Sequence, residues 1–332
     1  MMKKITVSAP GKLMLLGEHA VVYDHPCLVT AVNQRMKVTV EILAVPQLQL
    51  EAPDVHVYEY KKSMKDIGTG DIPKGAKFVE VAVKNLFQQK KILRFTQNDT
   101  GYFGLHITTS SEFSSQFGFG SSSASTVCVV KALSELFEIK LTNKEIFDIA
   151  YKTVLDIQGK GSGFDVAAAL YGGTLYFMTG GKVIKPLTLS DLPLVVGYSG
   201  VKADTVILVN QVKEKFANNP KRLEEIYMEI EQLVEHARGA MDKKDWEQVG
   251  KYMNKNQMLL QELGVSIPKL DNMIDGAVKA GAFGAKLSGA GGGDCMIALV
   301  SEKTKQDVSK AISSAGGEVI PVTAHAEGAR IE

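Results

Sequence analysis

Cysteine is scarce and scattered. The three present, Cys27, Cys128 and Cys295, lie far apart with no metal-type spacing. They suit a reducing compartment and argue against a disulfide framework. An excess of either charge is missing too, with Lys plus Arg at 38 against Asp plus Glu at 37. Bulk electrostatics therefore point to neither a nucleic-acid nor a membrane partner. The N-terminus reads Met1-Met2-Lys3-Lys4 before a short strand-like run, and no long apolar stretch follows. Neither a signal peptide nor a membrane span is expected, and the chain reads as cytoplasmic. No repeat at a solenoid period is visible. A strand, a G-x-G-x-x-G turn and a ribose-binding acid do not occur at the required spacing, which disfavours a dinucleotide oxidoreductase.

What is present is an ordinary globular composition, 45% apolar and 23% charged over 332 residues, enough for about two domains with cores of their own. The stretch Gly118-Phe119-Gly120-Ser121-Ser122-Ser123-Ala124-Ser125 organises the chain. Ala124, Val127, Val130, Leu133, Leu136 and Phe137 follow it at helical spacing, so it reads as a glycine loop opening a buried helix. Unpaired N–H groups and the positive dipole end of such a helix bind an anion, and a nucleotide phosphate is the natural candidate. Ser121 and Ser122 are placed to cap the helix or reach a metal ion. An ordinary turn with a serine N-cap would leave the same pattern. No lysine follows the glycines, so this is not a Walker loop.

Along the chain, residues 5–7 and 13–16 read as two short strands separated by a turn at Pro10 and Gly11, which sets Lys12 at a bend. Glu18 and His19 are adjacent polar residues inside an apolar run, a pattern that a satisfied structural pair would also give. Val38, Val40 and Ile42 alternate as a strand. Residues 47–74 are weakly patterned and polar, and Lys61, Lys62 and Lys65 read as a solvated face. A helix follows around 78–86, then a polar connection over 87–101, then a strand over 102–109. Thr142 and Glu145 stand at capping-box spacing before another helix. Three glycines surround Asp165, which would suit either a helix N-cap or a presented catalytic base. The domain boundary falls in 179–191, giving units 1–186 and 187–332. The second unit reads as a strand over 194–198, three amphipathic helices, a glycine-rich loop over 286–295 leading into a strand, a helix around 308–312 and a strand over 318–322. That mixture is an α+β sandwich.

Residues 9–23, 118–124 and 286–295 resemble, in this order, the three motifs of the GHMP small-molecule kinases. Within that superfamily the chain is most similar to the mevalonate kinases, through 17–22, 199–205, 263–266, 284–289 and 327–331. Residues 116–122 lack the lead-in typical of that group, while 161–168 and 291–295 look like phosphomevalonate kinases. The resemblance implies a two-domain α+β fold, an N-terminal nucleotide-binding domain and a C-terminal ferredoxin-like sandwich, with the active site in the cleft. It implies transfer of the terminal phosphoryl of ATP, with magnesium, to the C5 hydroxyl of mevalonate. Asp165 then matches the catalytic base and Lys12 the lysine beside it. Gly118, Phe119, Gly120, Ser121, Ser122 and Ser123, with Gly291 and Gly292, fall to the nucleotide. Lys12, Glu18, His19, Asp165 and Thr205 fall to the acceptor, and Ser122 to the metal. Animal mevalonate kinases carry a metal-binding glutamate where this chain has Val154. Asp156, two positions on, is the candidate replacement, or else a solvated helix residue. Asp294 is expected to serve only the turn. A homodimer is implied as well. Phosphomevalonate as acceptor needs an added basic pocket that spacing does not locate. A ligand sensor on the same fold is the non-enzyme alternative, and the joint presence of Lys12 and Asp165 argues against it.

Overall fold

In the computed structural model, which describes residues 3–90, 103–189 and 191–332, the chain opens with one long strand, β1 (Lys4–Leu16). The turn expected at Pro10 and Gly11 is a register shift between those residues in the antiparallel pairing of β1 with β2 (Cys27–Leu43). A bulge takes up the proline, which has no N–H to give the ladder, without ending the strand. The stretch that looked weakly patterned holds β3 (Gln47–Ala52) and β4 (Val57–Ser63). Leu48, Leu50 and Ala52 are buried there while Gln47 and Glu51 are exposed, the alternation of a half-buried strand. Next come α1 (Lys77–Gln89), β5 (Gly104–Ser111), α2 (Ser121–Leu136), α3 (Asn143–Gln158), α4 (Phe164–Tyr171), β6 (Thr174–Met178) and β7 (Val183–Pro186). Of the polar connection expected over 87–101, residues 87–89 close α1 and 91–101 lie outside the described residues. The sheet runs β1-β2-β5-β3-β4, antiparallel except for β3 beside β5, with β6 on the start of β2 and β7 outside it. α2 packs on β1 and β2 and touches α1, α3 and α4, which is why its sequence is apolar or small on every side. Thr142 and Glu145 make the expected capping box at the start of α3.

The second sheet is built from β8 (Leu194–Tyr198), β9 (Gly284–Ser288), β10 (Cys295–Leu299) and β11 (Glu318–Ile320). Four helices fill the crossover from β8 to β9: α5 (Thr205–Lys215), α6 (Pro220–Asp242), α7 (Trp246–Leu263) and α8 (Pro268–Lys279). α9 (Lys305–Ser314) joins β10 to β11. The order β11-β8-β10-β9, all antiparallel, is the ferredoxin-like arrangement. The chain then returns to the first sheet, where β12 (Arg330–Ile331) pairs antiparallel with β1. One continuous apolar core runs through both sheets and their helices. Among the described residues no helix is long and apolar enough to cross a membrane.

Candidate active site

Four helices begin around one cavity of about 740 Å³ between the two sheets: α1, α2, α4 and α5. Each presents first-turn N–H groups without intrahelical partners and the positive end of its dipole, so the cavity is electropositive before any side chain is counted. At α2 the serines do not cap. Gly120 is the N-cap, in a left-handed conformation with φ 77°, and no side-chain cap bond forms. The first-turn donors of α2 are therefore left for a ligand, and the side chains of Ser121, Ser122 and Ser123 line the cavity.

Lys12 sits just past the bulge in β1 and reaches this loop. Its backbone N–H donates to Phe119 O at 3.0 Å, and its Nζ donates to Gly118 O at 2.7 Å. The same Nζ lies 3.6 Å from Asp165 Oδ1 and 5.2 Å from the centre of the Phe164 ring. Asp165 is not the N-cap of α4; Gly163 is, and Asp165 stands inside the first turn, where the dipole favours its charge. A side chain at Gly120 would crowd both partners, its Cβ falling 3.4 Å from Lys12 Cε and 3.6 Å from Asp165 Cβ.

The opposite wall joins the two sheets. Met14 N and O both bond Ser288 Oγ, at 2.9 and 3.0 Å. Glu18, from the turn after β1, forms an ion pair with Lys286 of β9, and both side chains are fully buried. Burial pushes the Glu18 carboxyl up against the pull of Lys286, and pushes the Lys286 ammonium down against the pull of Glu18. His19 holds a left-handed backbone, φ 61°, unusual for a residue with a side chain. Burial lowers its pKa, leaving a neutral ring. Nε2 donates to Ala290 O at 2.8 Å, which assigns Nδ1 as the acceptor. That Nδ1, Glu18 Oε2, Ser162 Oγ and Asp165 Oδ1 are buried atoms without a hydrogen-bond partner, all on cavity-lining residues. Buried acceptors of this kind find partners, and a ligand bearing hydroxyl groups supplies them.

The structure thus gathers Lys12, Glu18, His19, Gly118, Gly120, Ser121, Ser122, Ser123, Asp165 and Thr205 around one cavity. Four expected residues are elsewhere. The Phe119 side chain is buried beside Phe113 and Phe117, and only its carbonyl serves the site. Gly291 and Gly292 pack against Val265 and Leu208; a Cβ on Gly291 would fall 2.2 Å from Val265 O. The third motif reaches the cavity through Gly289, Ala290 and Asp294 instead. Asp156 is turned away, its Oδ2 accepting from Asn85 Nδ2 at 2.9 Å and from Lys152 Nζ at 2.5 Å. Val154 faces the cavity, and two residues along a helix turn the side chain by about 200°, so a carboxylate at 156 cannot take over a role at 154.

Other lining residues carried no sequence signal strong enough to single them out for this site. Asp294 does more than shape its turn: Oδ1 accepts from Ala203 N at 3.0 Å, and a Cβ on Gly118 would come within 2.5 Å of its Oδ2. Lys202 crosses the cleft, donating to Ser115 O at 2.6 Å. Lys74, Lys77 and Lys160 line the cavity as well, the first from the end of the weakly patterned stretch, the second from the start of α1 and the third from the glycine-rich turn before Asp165. For a divalent ion, Asp165 and Ser122 offer hard oxygen donors of the type magnesium takes, and the unbonded Asp165 Oδ1 leaves room for one. Among the described residues no group of three or more His, Cys, Asp or Glu forms a metal cage.

The family model described as GHMP kinases N terminal domain matches residues 85–173, and that described as GHMP kinases C terminal matches 237–318. A mevalonate kinase of Thermococcus gammatolerans is 35% identical over 334 residues, covering 99% of this chain and 98% of its own. The crystal structure of the Methanococcus jannaschii mevalonate kinase superposes with a TM-score of 0.82 at 27% identity, over 97% of this chain and 98% of that one. A mevalonate kinase of L. major, crystallised with R-mevalonate, gives 0.77 at 26% identity, over 99% and 97%.

Proposed function

Because this chain belongs to the GHMP kinase family, we propose that its cavity holds ATP and a hydroxyl-bearing acceptor on either side of Lys12 and Asp165. The activity is ATP-dependent phosphorylation of mevalonate, the activity for which the relatives matching nearly the whole chain are named. What supports the assignment of roles is the Lys12–Asp165 pair at 3.6 Å beside the open start of α2.

In this proposal the loop at 118–123 receives the phosphates, and the apolar wall of Phe78, Val154 and Ile157 receives the base. Asp165 takes the proton of the C5 hydroxyl. The oxygen so freed bonds the terminal phosphorus as that phosphorus leaves the bridging oxygen of ADP. Lys12 faces the transferring group and offsets the charge that develops there. Glu18 Oε2 and His19 Nδ1, the unpartnered acceptors, take hydrogen bonds from acceptor hydroxyls, and Thr205 closes the site from the start of α5. Magnesium, held by Asp165 and Ser122 with the nucleotide, would neutralise phosphate charge. A cytoplasmic location, a homodimer, and no nucleic-acid or membrane partner belong to the same proposal, as do the units 1–186 and 187–332, the last residues of the second lying on the first sheet.

The test is ADP release by the purified protein with ATP and magnesium, comparing mevalonate, phosphomevalonate and no acceptor. Turnover on mevalonate is expected, and turnover on phosphomevalonate alone would overturn the acceptor. Asp165→Asn should lower kcat by roughly 10²–10⁴ while ATP still binds. Wild-type turnover in that variant would remove Asp165 from the base role.

A further inference from the structure

We propose that Lys74, Lys77 and Lys160 form a cationic cradle for the phosphates of the nucleotide, so that the chain binds nucleoside triphosphate strongly even without a divalent ion; the proposal rests on the nucleotide assignment above. The other charged side chains lining the cavity are engaged. Lys12 faces Asp165 at 3.6 Å, Lys202 lies 4.0 Å from Asp294, and Glu18 is held by Lys286 behind the wall. Asp204 accepts from Ile207 N at 3.1 Å in the first turn of α5. Lys74, Lys77 and Lys160 remain, lining the same cavity with no ion pair or hydrogen bond among the described residues.

The fold brings them together. α1 and α3 run antiparallel: Lys90 meets Glu145 at 2.6 Å at one end, and Asn85 meets Asp156 at 2.9 Å further along. The start of α1, with Lys77, therefore comes to the end of α3, where Lys160 stands two residues past Gln158. Lys160 alone would be explained by the negative end of α3. Lys74 and Lys77 are not explained this way, because they crowd the positive end of α1, where a cation is unfavourable. Glu80, the acid in that first turn, gives no relief. Its buried carboxylate is taken by Lys62 at 2.8 Å, by Gly68 N at 2.6 Å and by the Tyr60 hydroxyl at 2.5 Å. Three unpaired cations beside a helix start, on the wall that carries Phe78, Val154 and Ile157, suit a ligand with a flat apolar part and several negative charges. The shortage of free carboxylates points the same way. With Asp156 turned outward and Val154 facing in, α3 brings no carboxylate to the cavity, so lysines take up phosphate charge instead.

The deciding measurement is equilibrium binding of ATP and of adenosine in EDTA, by calorimetry, to wild-type protein and to Lys74→Met/Lys77→Met/Lys160→Met. Wild type should bind metal-free ATP far more tightly than adenosine, with an advantage that falls as KCl is raised. The triple variant should lose roughly 30-fold in ATP affinity, about threefold per exposed lysine, with adenosine unchanged. The triple Lys→Arg variant, which keeps the charges, should restore ATP binding. Equal ATP affinity in wild type and the methionine variant, with adenosine bound by both, would overturn the cradle and leave the nucleotide site standing. Equal losses for ATP and adenosine would also overturn it. Failure of wild type to bind either ligand would overturn it together with the nucleotide assignment.

Discussion

Glu18 and Lys286 are wholly buried and come from opposite ends of the chain, 268 positions apart. Removing one partner of such a pair leaves a charge without solvent or counter-ion, at a cost of about 3–5 kcal/mol. Glu18→Gln and Lys286→Met should each lose stability on that scale in chemical denaturation, while Glu18→Leu/Lys286→Met should recover most of it and remain inactive. A double variant as unstable as the singles would show that the pair is not the reason. The pH dependence has a definite sign. In Lys286→Met the buried Glu18 keeps a pKa raised above its ordinary 4.5 with no cation to oppose the rise. A group raised on folding stabilises below its unfolded pKa and loses that contribution as pH rises through the folded one. The deficit of Lys286→Met against wild type should therefore shrink as the pH is lowered toward 4.5. The sequence offers Glu18 and His19 only as polar residues in an apolar run, because the partners that give them meaning, Lys286 and Ala290, lie in the other sheet. Asp156 is the opposite case. Helical geometry alone sets it on the far face from Val154, so its outward turn was legible before any partner was known.

The glycine loop and α2 were readable as a unit because loop chemistry and helical period agree over consecutive residues. Gly118 shows what the element cannot tolerate. Its φ is 71°, and an added Cβ would meet Asp294 Oδ2 at 2.5 Å. Gly118→Ala should thus cost both backbone strain and the contact across the cleft. It should weaken ATP binding at least tenfold, while Gly70→Ala, with the same kind of φ and open space around it, leaves ATP binding near wild type. Equal ATP affinity in both variants would mean that the loop yields freely. α3 carries Val154 and Ile157 to the cavity and is fixed at its start by the capping box. Glu145 is held down to about 2, first by Lys90 and then by the Thr142 N–H and hydroxyl. Its contribution is complete above 4.5 and is lost as the pH falls toward 2. The gap in thermal midpoint between wild type and Glu145→Gln should close over that window, and a gap constant with pH would remove the carboxylate from the cap. β1 reads as two strands in the sequence because proline and glycine mark bulges as well as turns, and only the pairing with β2 distinguishes them. β3 is hard to see in the sequence although Gln47 to Ala52 alternate, because the polar residues between its apolar ones lower the overall hydrophobicity of the stretch.

At the scale of the whole molecule, the two sheets are joined twice: once where the chain leaves β7 for β8, and again where it returns from β11 to β12. The return is pinned by Arg35. Its buried guanidinium donates to Ser8 Oγ at 2.7 Å, Ser8 O at 3.0 Å, Gly328 O at 2.8 Å and Glu327 O at 2.9 Å. Thr323 O and Ala31 O accept further bonds across the same seam, at 2.9 and 3.2 Å, from Asn33 N and Ala326 N. No local pattern announces this closure, since a two-residue strand has no period to read and Arg35 looks like any strand-borne cation until the tail arrives. The tail also lies against β1, the strand that carries Lys12 to Asp165. Arg35→Ala would leave three carbonyls and the Ser8 hydroxyl short of a donor, a loss of about 3 kcal/mol or more. Its effect should extend beyond stability. With the seam open, trypsin should cut at Arg330 much faster than in wild type, and kcat should fall while the KM for ATP changes little, because β1 loses its edge support but α1, α2 and α3 keep theirs. Faster cleavage with kcat unchanged would mean that the tail staples the sheets together without helping to hold Lys12 in place.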